Sequence, residues 1–535
     1  MRDRAFGIEN EFGIMIEVSP GEFLPLFKSK PTSNLPVYPE GENVIRDALK
    51  NATKNGINGW GASDVGRLWL TNGGCFYLDM GHLEWASPET RRIKDTVLLN
   101  KVGEEIATRL FLDIEKAGKR AILVKNNISI SDDGTLSTST FGCHESYLSF
   151  GENPLAQASS THNAEENARK KKMQEERLKP LVSFLLTRQM FDGAGVWENA
   201  EYDHYCISQR ALFMEKDVGP STTSDRAIVN SRMEHHAGSP HLSGMHRLHL
   251  IVGDANMLDV ATFLKIGTTA LVLTLLETGA TIRAKLKVHI EDSVEAIEGL
   301  SRSCDPHYRI KLEGGKTISA LGIQEIFFEE ARDLVLRANF ESDESEEDAR
   351  QTIILWEEAL SALATNDMEW MVGRLDWVTK KYLADQAVEK QKGGLSPQKI
   401  RSSIDIDYHR VDEDSYTARI NRASPQKRIV TDEEIARAIN TPPQDTRARV
   451  RGEVVKLARA RPSFCLSGIG WDSISFKFND ISPVISKFNI SHPLATHVGW
   501  LEEIKAGRWQ QFFEKDKEGK NVTVTEEHIS CGCGG

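Results

Sequence analysis

The stretch Arg4–Val18, RAFGIENEFGIMIEV, alternates with period two. Phe6, Ile8, Phe12, Ile14, Ile16 and Val18 fall on one face, with Asn10 the only interruption, and Glu9 and Glu11 fall together on the other. In a strand, side chains at i and i+2 point the same way, about 7 Å apart. The chain must therefore build a sheet with one buried face. Its opposite face carries two carboxylates side by side, between Gly7 and Gly13.

A second alternating stretch, NGGCFYLDMGHLEWASPE at 72–89, puts Cys75, Tyr77 and Asp79 on one face and Phe76, Leu78 and Met80 on the other. Glu84 and Ser87 follow directly. If both strands share a sheet, Glu9, Glu11, Tyr77, Asp79 and Glu84 converge on one surface. Carboxylates so gathered repel unless a cation neutralises them, and hard oxygen ligands select Mg²⁺, which commonly bridges protein carboxylates to nucleotide phosphates. The alternative is a polar face that meets water, and spacing alone leaves both open.

A chain of 535 residues supports two or more domains. Its 40% hydrophobic and 27% charged content is that of a globular protein, and a net charge of −12 argues against a nucleic-acid partner. The start has no apolar core of signal-peptide length. The apolar run at 264–279 carries a lysine and threonines and is short for a bilayer. A cytoplasmic protein without membrane attachment is expected. Seven scattered cysteines without a CxxC pair read as reduced thiols. The sequence lacks GxxxxGK[ST], a strand-linked GxGxxG and GxSxG, so nucleotide chemistry here needs another scaffold and a serine hydrolase finds no support. His144-Glu145 is not HExxH, which excludes that zinc-protease pattern.

Strands are expected at 5–18, 67–70, 74–80, 120–127 and 143–150, with a long polar insertion at about 19–66 read as a functional or mobile loop. The charged run 162–180 reads as a solvated helix or insertion, 259–278 as a buried helix, and the segment after the acidic stretch 340–350 as an amphipathic helix. From about 426 the texture changes: Thr431 caps an acidic first turn, a Pro-Pro break follows, and 470–478 alternates as a strand. Between 205 and 257 lie Arg210, Arg232, Arg247, His235, His236 and His249. Arginines suit phosphate recognition through their planar fork, whereas the histidines read as structural. The end, SCGCGG, offers Cys531, Cys533 and His528, one ligand short of a closed zinc site, and reads as a flexible extension.

Several blocks together resemble the Pup ligase and depupylase family: GIENEFG (7–13), LTNGGCFYLDMGHLEWASPE (70–89), KNN (125–127), FGCHESYL (141–148), LLTRQMFDGAG (185–195), SQR (208–210), VNSR (229–232), RLHLIVGDANM (247–257), LKIGTTALVL (264–273), TDEEIARAINTPPQDTRARVRGE (431–453) and WDS (471–473). They run in collinear order over roughly residues 1 to 500. The resemblance implies an α+β chain: a glutamine-synthetase-like domain at 1–425 with a curved antiparallel sheet packed by helices and insertions at about 19–66 and 156–178, a small α+β domain at 426–515, and a polar tail at 516–535. It further implies ATP (or ADP plus phosphate) and Mg²⁺ as cofactors. The implied partners are a Pup-like modifier, whose C-terminal Gly-Gly-Glu/Gln enters the site, and pupylated proteins. By position, Glu9, Tyr77 and Glu84 would hold metal, with Glu11 joining them, and Asp79 falls on the catalytic aspartate. Ser87 and Trp471 match nucleotide-contacting positions, and Arg210 and Arg232 would clamp phosphate. Cys75 stands where the family usually has Arg, which removes a phosphate contact. The five-residue Asp79–Glu84 spacing, the 19–66 insertion and the wording of LKIGTTALVL and WDSISF point to the depupylase branch, an isopeptidase and Pup deamidase. The alternative is a Pup–protein ligase acting through a glutamyl phosphate, toward which GIENEFG and FGCHESYL lean.

Overall fold

The N-terminal alternation becomes one fourteen-residue strand, β1 (Phe6–Ser19), at the middle of an eleven-stranded sheet. The computed structural model describes residues 1–506 except 21, 27–36, 38–40, 62–65, 117, 131–135, 152–167, 169–170, 233–243, 392–393, 461–465 and 479–483. His235, His236 and the SCGCGG end lie outside the described residues.

The first half of β1 pairs antiparallel with β6 (His82–Ala86) on one side and β8 (Cys143–Phe150) on the other, and the second half with β2 (Glu22–Pro25) and β7 (Ala121–Val124). Beyond β6 lie β5 (Cys75–Asp79), β4 (Arg67–Leu70) and β3 (Gly59–Trp60). Beyond β8 lie β11 (Met245–Leu250), β10 (Ala227–Asn230) and β9 (Lys216–Gly219). The strands expected from alternation are all present, with trimmed ends.

The apolar face of β1 is buried from Phe6 to Ile16, as its pattern requires, while Val18 near the strand's end is exposed. Asn10, buried among these side chains, donates from Nδ2 to Asn100 Oδ1 at 2.9 Å, so the one polar interruption fastens α2 (Ile93–Leu110) to the sheet. Two clusters cover this face. Helices α1 (Gly41–Lys50) and α2 pack on Phe12, Ile14, Ile16, Phe76 and Trp85. Phe6, Tyr147 and Leu250 pack with α3 (Lys179–Asp192), α4 (Asp259–Glu277), α5 (Ser293–Ser303), α6 (Ala320–Arg337) and α7 (Asp343–Thr365). Among the described residues, α4 alone is long and apolar enough to cross a membrane, and it is buried in this cluster.

The segment 19–66 is not a loop throughout. It contains β2, α1 and β3, and Ile45, Leu49 and Ile57 enter the core. The four-residue spacing of Ile45 and Leu49 marks a helical apolar stripe, concealed by the polar, Pro- and Gly-bearing sequence around it. A third cluster is built from α9 (Ala448–Ala460) and a three-stranded sheet of β12 (Leu466–Ile469), β13 (Ser473–Phe478) and β14 (Val484–Asn489). The helix α8 (Asp432–Ala438), which begins on a Thr431/Glu434 capping box, instead packs Ala438 into the α1/α2 cluster.

Trp85 is fully buried between two glycines. A Cβ on Gly103 would lie 2.3 Å from Trp85 Cδ1, and one on Gly74 would lie 2.3 Å from Cη2. The indole Nε1 donates to Leu99 O at 3.1 Å. Gly103→Ala forces α2 away from the sheet and is expected to lower stability by about 1–3 kcal/mol, read by chemical denaturation. An unchanged denaturation midpoint would contradict the close packing.

Candidate active site

Directly opposed residues on antiparallel strands share a face. One row across four strands is therefore Glu11, Glu84, Tyr77 and Arg67. The next row runs His144, Glu9, Ala86, Cys75 and Trp69, and a third carries Gly7, Ser146, His249 and Asn230. The structure thus brings Glu9, Glu11, Tyr77 and Glu84 together on the face opposite the core.

Glu11 and Glu84 face each other, an arrangement that like charges resist. Burial, and then the charges of Glu9 and Glu11, drive the Glu84 carboxyl well above the usual range, favouring its protonated form. Tyr77 donates its hydroxyl to Glu84 Oε1 at 2.5 Å. Burial works in the same direction on Glu11, but His82, 3.0 Å away, and the Gly142 N–H, at 2.8 Å, outweigh it and hold the carboxyl below its ordinary value. For Glu9 the burial effect is overcome by His144 and Arg247, each at 3.3 Å. Three carboxylates gathered on one face repel one another, and a bound cation would relieve that repulsion. The donor set of three carboxylates and a phenol fits Mg²⁺.

His249 adds to this surface. It is buried, neither ring nitrogen has a hydrogen-bond partner among the described residues, and burial followed by Arg247 keeps the imidazole neutral. Glu9, His144 and His249 bring their ligand atoms within 4.8 Å of one another.

Asp79 ends β5 at a tight turn. Met80 (φ 42°) and Gly81 (φ 99°) are both left-handed, as the favoured two-residue hairpin requires, and they set Asp79 opposite His82. Asp79 is exposed on the Tyr77 face, and burial of part of the group followed by the charge of Glu11 raises its carboxyl above the ordinary value. That shift makes it a better base.

Beside Glu9 the face opens into a cleft lined among others by Gly7, Ser87, Arg247, Arg447 and Trp471. Ser87 Oγ accepts the Ile8 N–H at 3.0 Å, which holds it on the wall. Trp471 arrives from the C-terminal unit, 4.8 Å from the Trp69 ring, with the Arg451 guanidinium 4.8 Å from its own centroid.

Arg210 and Arg232 are not among the residues lining that cleft. Arg210 is buried, donating to Ile251 O at 2.6 Å and Phe141 O at 2.5 Å, while its Nη2 has no hydrogen-bond partner among the described residues. Burial lowers this guanidinium to about 10. Arg232 is exposed just past β10, its N–H on Asn230 Oδ1 at 2.7 Å. Cys75 is buried beside Trp69 and Val455, and burial lifts its thiol to about 12. Arg67, one strand away, lies over the Tyr77 ring at 5.6 Å and supplies a guanidinium in the same region.

The KNN and HES blocks are mostly fasteners. Lys125 is buried and paired with Glu104, which also holds Lys101 at 3.0 Å. Asn127 takes the Ala255 N–H on Oδ1 at 2.6 Å and gives its own N–H to Gln209 at 2.7 Å. Glu145 forms a fully buried bidentate pair with Arg188 at 2.7 and 2.9 Å. His144 and Ser146 instead turn to the acidic face. Arg247 belongs to the arginines that the sequence marks as suited to phosphate, whereas His144 and His249, whose type reads as structural, and Arg67 and Arg447 are site residues that the sequence does not mark. The i, i+2 spacing of Arg247 and His249 was the available signal, identical to that of Glu9 and Glu11.

The sequence profile of the family described as Pup-ligase protein matches residues 4–475. The chain belongs to the Pup-ligase family. It is 32% identical over 466 residues to a Pup–protein ligase of Acidimicrobium ferrooxidans, covering 85% of this chain and 89% of that one. A Pup–protein ligase of Mycobacterium avium is 30% identical over 469 residues, covering 86% and 91%. Among solved structures, the ligase PafA in complex with the prokaryotic ubiquitin-like protein Pup aligns with TM-score 0.72 and 26% identity over 97% of this chain and 96% of that one. PafA in complex with ADP aligns with TM-score 0.68 and 25% identity, covering 90% and 97%. The expected α+β, glutamine-synthetase-like class of fold is the one observed. These relatives carry the ligase name, which corrects the depupylase leaning: a Pup-ligase family enzyme is supported, and the hydrolase type is not.

Proposed function

We propose that the chain is an ATP- and Mg²⁺-dependent ligase that joins the C-terminal glutamate of a Pup-like modifier to lysines of target proteins. The observation that carries this reading is the gathering of Glu9, Glu11, Tyr77 and Glu84 on one face of the sheet, beside the cleft that Ser87 and Trp471 line. The ligase names of the curated relatives and the ADP and Pup complexes of PafA support the reaction class.

Glu9, Glu11, Tyr77 and Glu84 would hold Mg²⁺, with Ser87 and Trp471 beside the nucleotide. Arg247 and Arg447 join that set from the cleft wall. When bound, ATP and the ion supply the phosphoryl group that activates the modifier's terminal γ-carboxylate. Asp79, standing clear of the metal carboxylates at the hairpin tip, takes the proton from the lysine amine as its nitrogen attacks the activated carbonyl and phosphate leaves. Cys75, neutral and buried, packs the floor and leaves the anion contacts to the surrounding arginines.

The purified protein, given ATP, Mg²⁺, a modifier ending in Gly-Gly-Glu and a target, is expected to form a covalent conjugate with one ADP released per bond. Chelation should abolish the reaction. Release of target from a preformed conjugate without any conjugate formation would reverse the assignment to the depupylase branch.

A further inference from the structure

Away from the acidic face, the small hairpin Val196–Trp197/Tyr205–Cys206 gathers three donors of different kinds. His204 Nδ1 lies 3.0 Å from Glu198 Oε2. Cys206 Sγ lies 3.7 Å from the same oxygen and 3.8 Å from the same nitrogen. In a tetrahedral zinc site, with Zn–S about 2.3 Å and Zn–N or Zn–O about 2.0–2.1 Å, a sulfur sits about 3.5 Å from each first-row donor and nitrogen about 3.3 Å from oxygen. The three spacings each fall within about 0.3 Å of those edges.

An ion pair between Glu198 and His204 would explain two of these atoms on its own. The buried thiol of Cys206, placed to donate to the same oxygen and lying against the same nitrogen, closes the triangle with a third donor. Arg302, near the end of α5, donates to Glu198 Oε1 from Nε at 3.0 Å and from Nη2 at 2.8 Å, and reaches Oε2 from Nε at 3.1 Å. A carboxylate oriented in this way by an outer partner is the usual support of a metal ligand. The His204 side chain is 47% exposed, so an ion has a way in.

We propose that Glu198, His204 and Cys206 form a binding site for a borderline cation of the zinc class, with a water completing the tetrahedron. Thiolate and imidazole donors select such an ion over the Mg²⁺ suited to the acidic face. Bound there, the ion would tie the two ends of the 198–206 turn together. The chain then runs directly into Ser208, Gln209 and Arg210, all of which bond to Asp254: Oγ of Ser208 at 3.0 Å and the N–H groups of Gln209 and Arg210 at 2.8 and 2.9 Å. The site would therefore steady the segment that carries Arg210.

The test uses the full chain, stripped of metal and titrated with Co²⁺. One equivalent is expected to give a thiolate-to-cobalt charge-transfer band with the d–d absorption of a tetrahedral ion, and Zn²⁺ should displace it. Neither the acidic face nor Mg²⁺ produces a thiolate band, so the result is independent of the ligase reading. The band should vanish in Cys206→Ser, weaken at least about tenfold in affinity in the exposed-site variant His204→Ala, and persist in the Cys531→Ser/Cys533→Ser double variant. Circular dichroism checks that the first two are folded, and His204→Ala keeps the test decisive if Cys206→Ser is not. No thiolate band in the parent protein, or a band that survives in the folded Cys206→Ser or His204→Ala protein with unchanged affinity, overturns the proposal.

Discussion

Replacing Asp79 with Asn is expected to slow conjugate formation by about 10²- to 10⁴-fold, the contribution of a positioned general base. Nucleotide affinity should stay within about twofold of the parent, because the residues that ring the cleft are untouched. The substitution preserves size but removes the one carboxylate that stands exposed at the end of β5, outside the Glu9, Glu11 and Glu84 cluster. The left-handed pair Met80–Gly81 fixes that tip, so the backbone presents residue 79 to the same place in either protein. Single-turnover conjugation and calorimetric ADP binding read the two halves separately. A loss of chemistry with binding retained also excludes a chain that only binds the modifier, whereas conjugation at the parent rate would remove Asp79 from the role of base.

The same hairpin explains why the Asp79–Glu84 spacing does not support the depupylase branch. Asp79 pairs with His82 across a two-residue turn, and Glu84 is the next residue of β6 on that face. A spacing of five between Asp79 and Glu84 therefore follows from the tightest hairpin geometry. It reports the length of a turn and carries no information about whether an amide is made or broken. The alternation of β1, by contrast, was legible because a face buried against helices forces period two over many residues, and Glu9 and Glu11 had to share the other face. What the sequence could not give was register. His144, Arg247 and His249 enter the site only because β8 pairs with β1, and β11 with β8, in one particular alignment, over separations of about a hundred residues or more. Arg210 was picked out by its type, yet the fold buries it behind the Phe141 carbonyl, since an arginine in a sequence does not say on which side of a sheet its guanidinium ends.

Glu89→Gln is expected to cost about 3–5 kcal/mol at neutral pH, since it strips the counter-ion from two buried guanidinium groups. Glu89 receives Arg447 Nε at 2.7 Å and Arg451 on both carboxylate oxygens, and its backbone carbonyl accepts the Thr446 hydroxyl at 2.7 Å. The arginines belong to the C-terminal unit. Arg451 also donates to Gly73 O at 3.1 Å and Trp471 O at 2.9 Å, and Arg447 to Ser491 O at 3.0 Å. One carboxylate thus joins the β6 side of the sheet to the unit that delivers Trp471. Burial alone would raise the Glu89 carboxyl, but Arg451 and then Arg447 outweigh it and hold it at about 2, against an ordinary value of 4.5. A folded-state value below the unfolded one means that this contribution to stability is complete above about pH 4.5 and drains away as pH falls toward 2. Denaturation of the parent and of Glu89→Gln should therefore differ most at neutral pH and converge through that acid window. A gap that stays constant from pH 7 down to the acid limit would mean that the glutamate acts by packing and not by charge. Because Glu89 and Arg447 line the cleft, the folded variant should also need a higher ATP concentration for half-maximal rate. Domain attachment and nucleotide recognition would then depend on the same ion cluster.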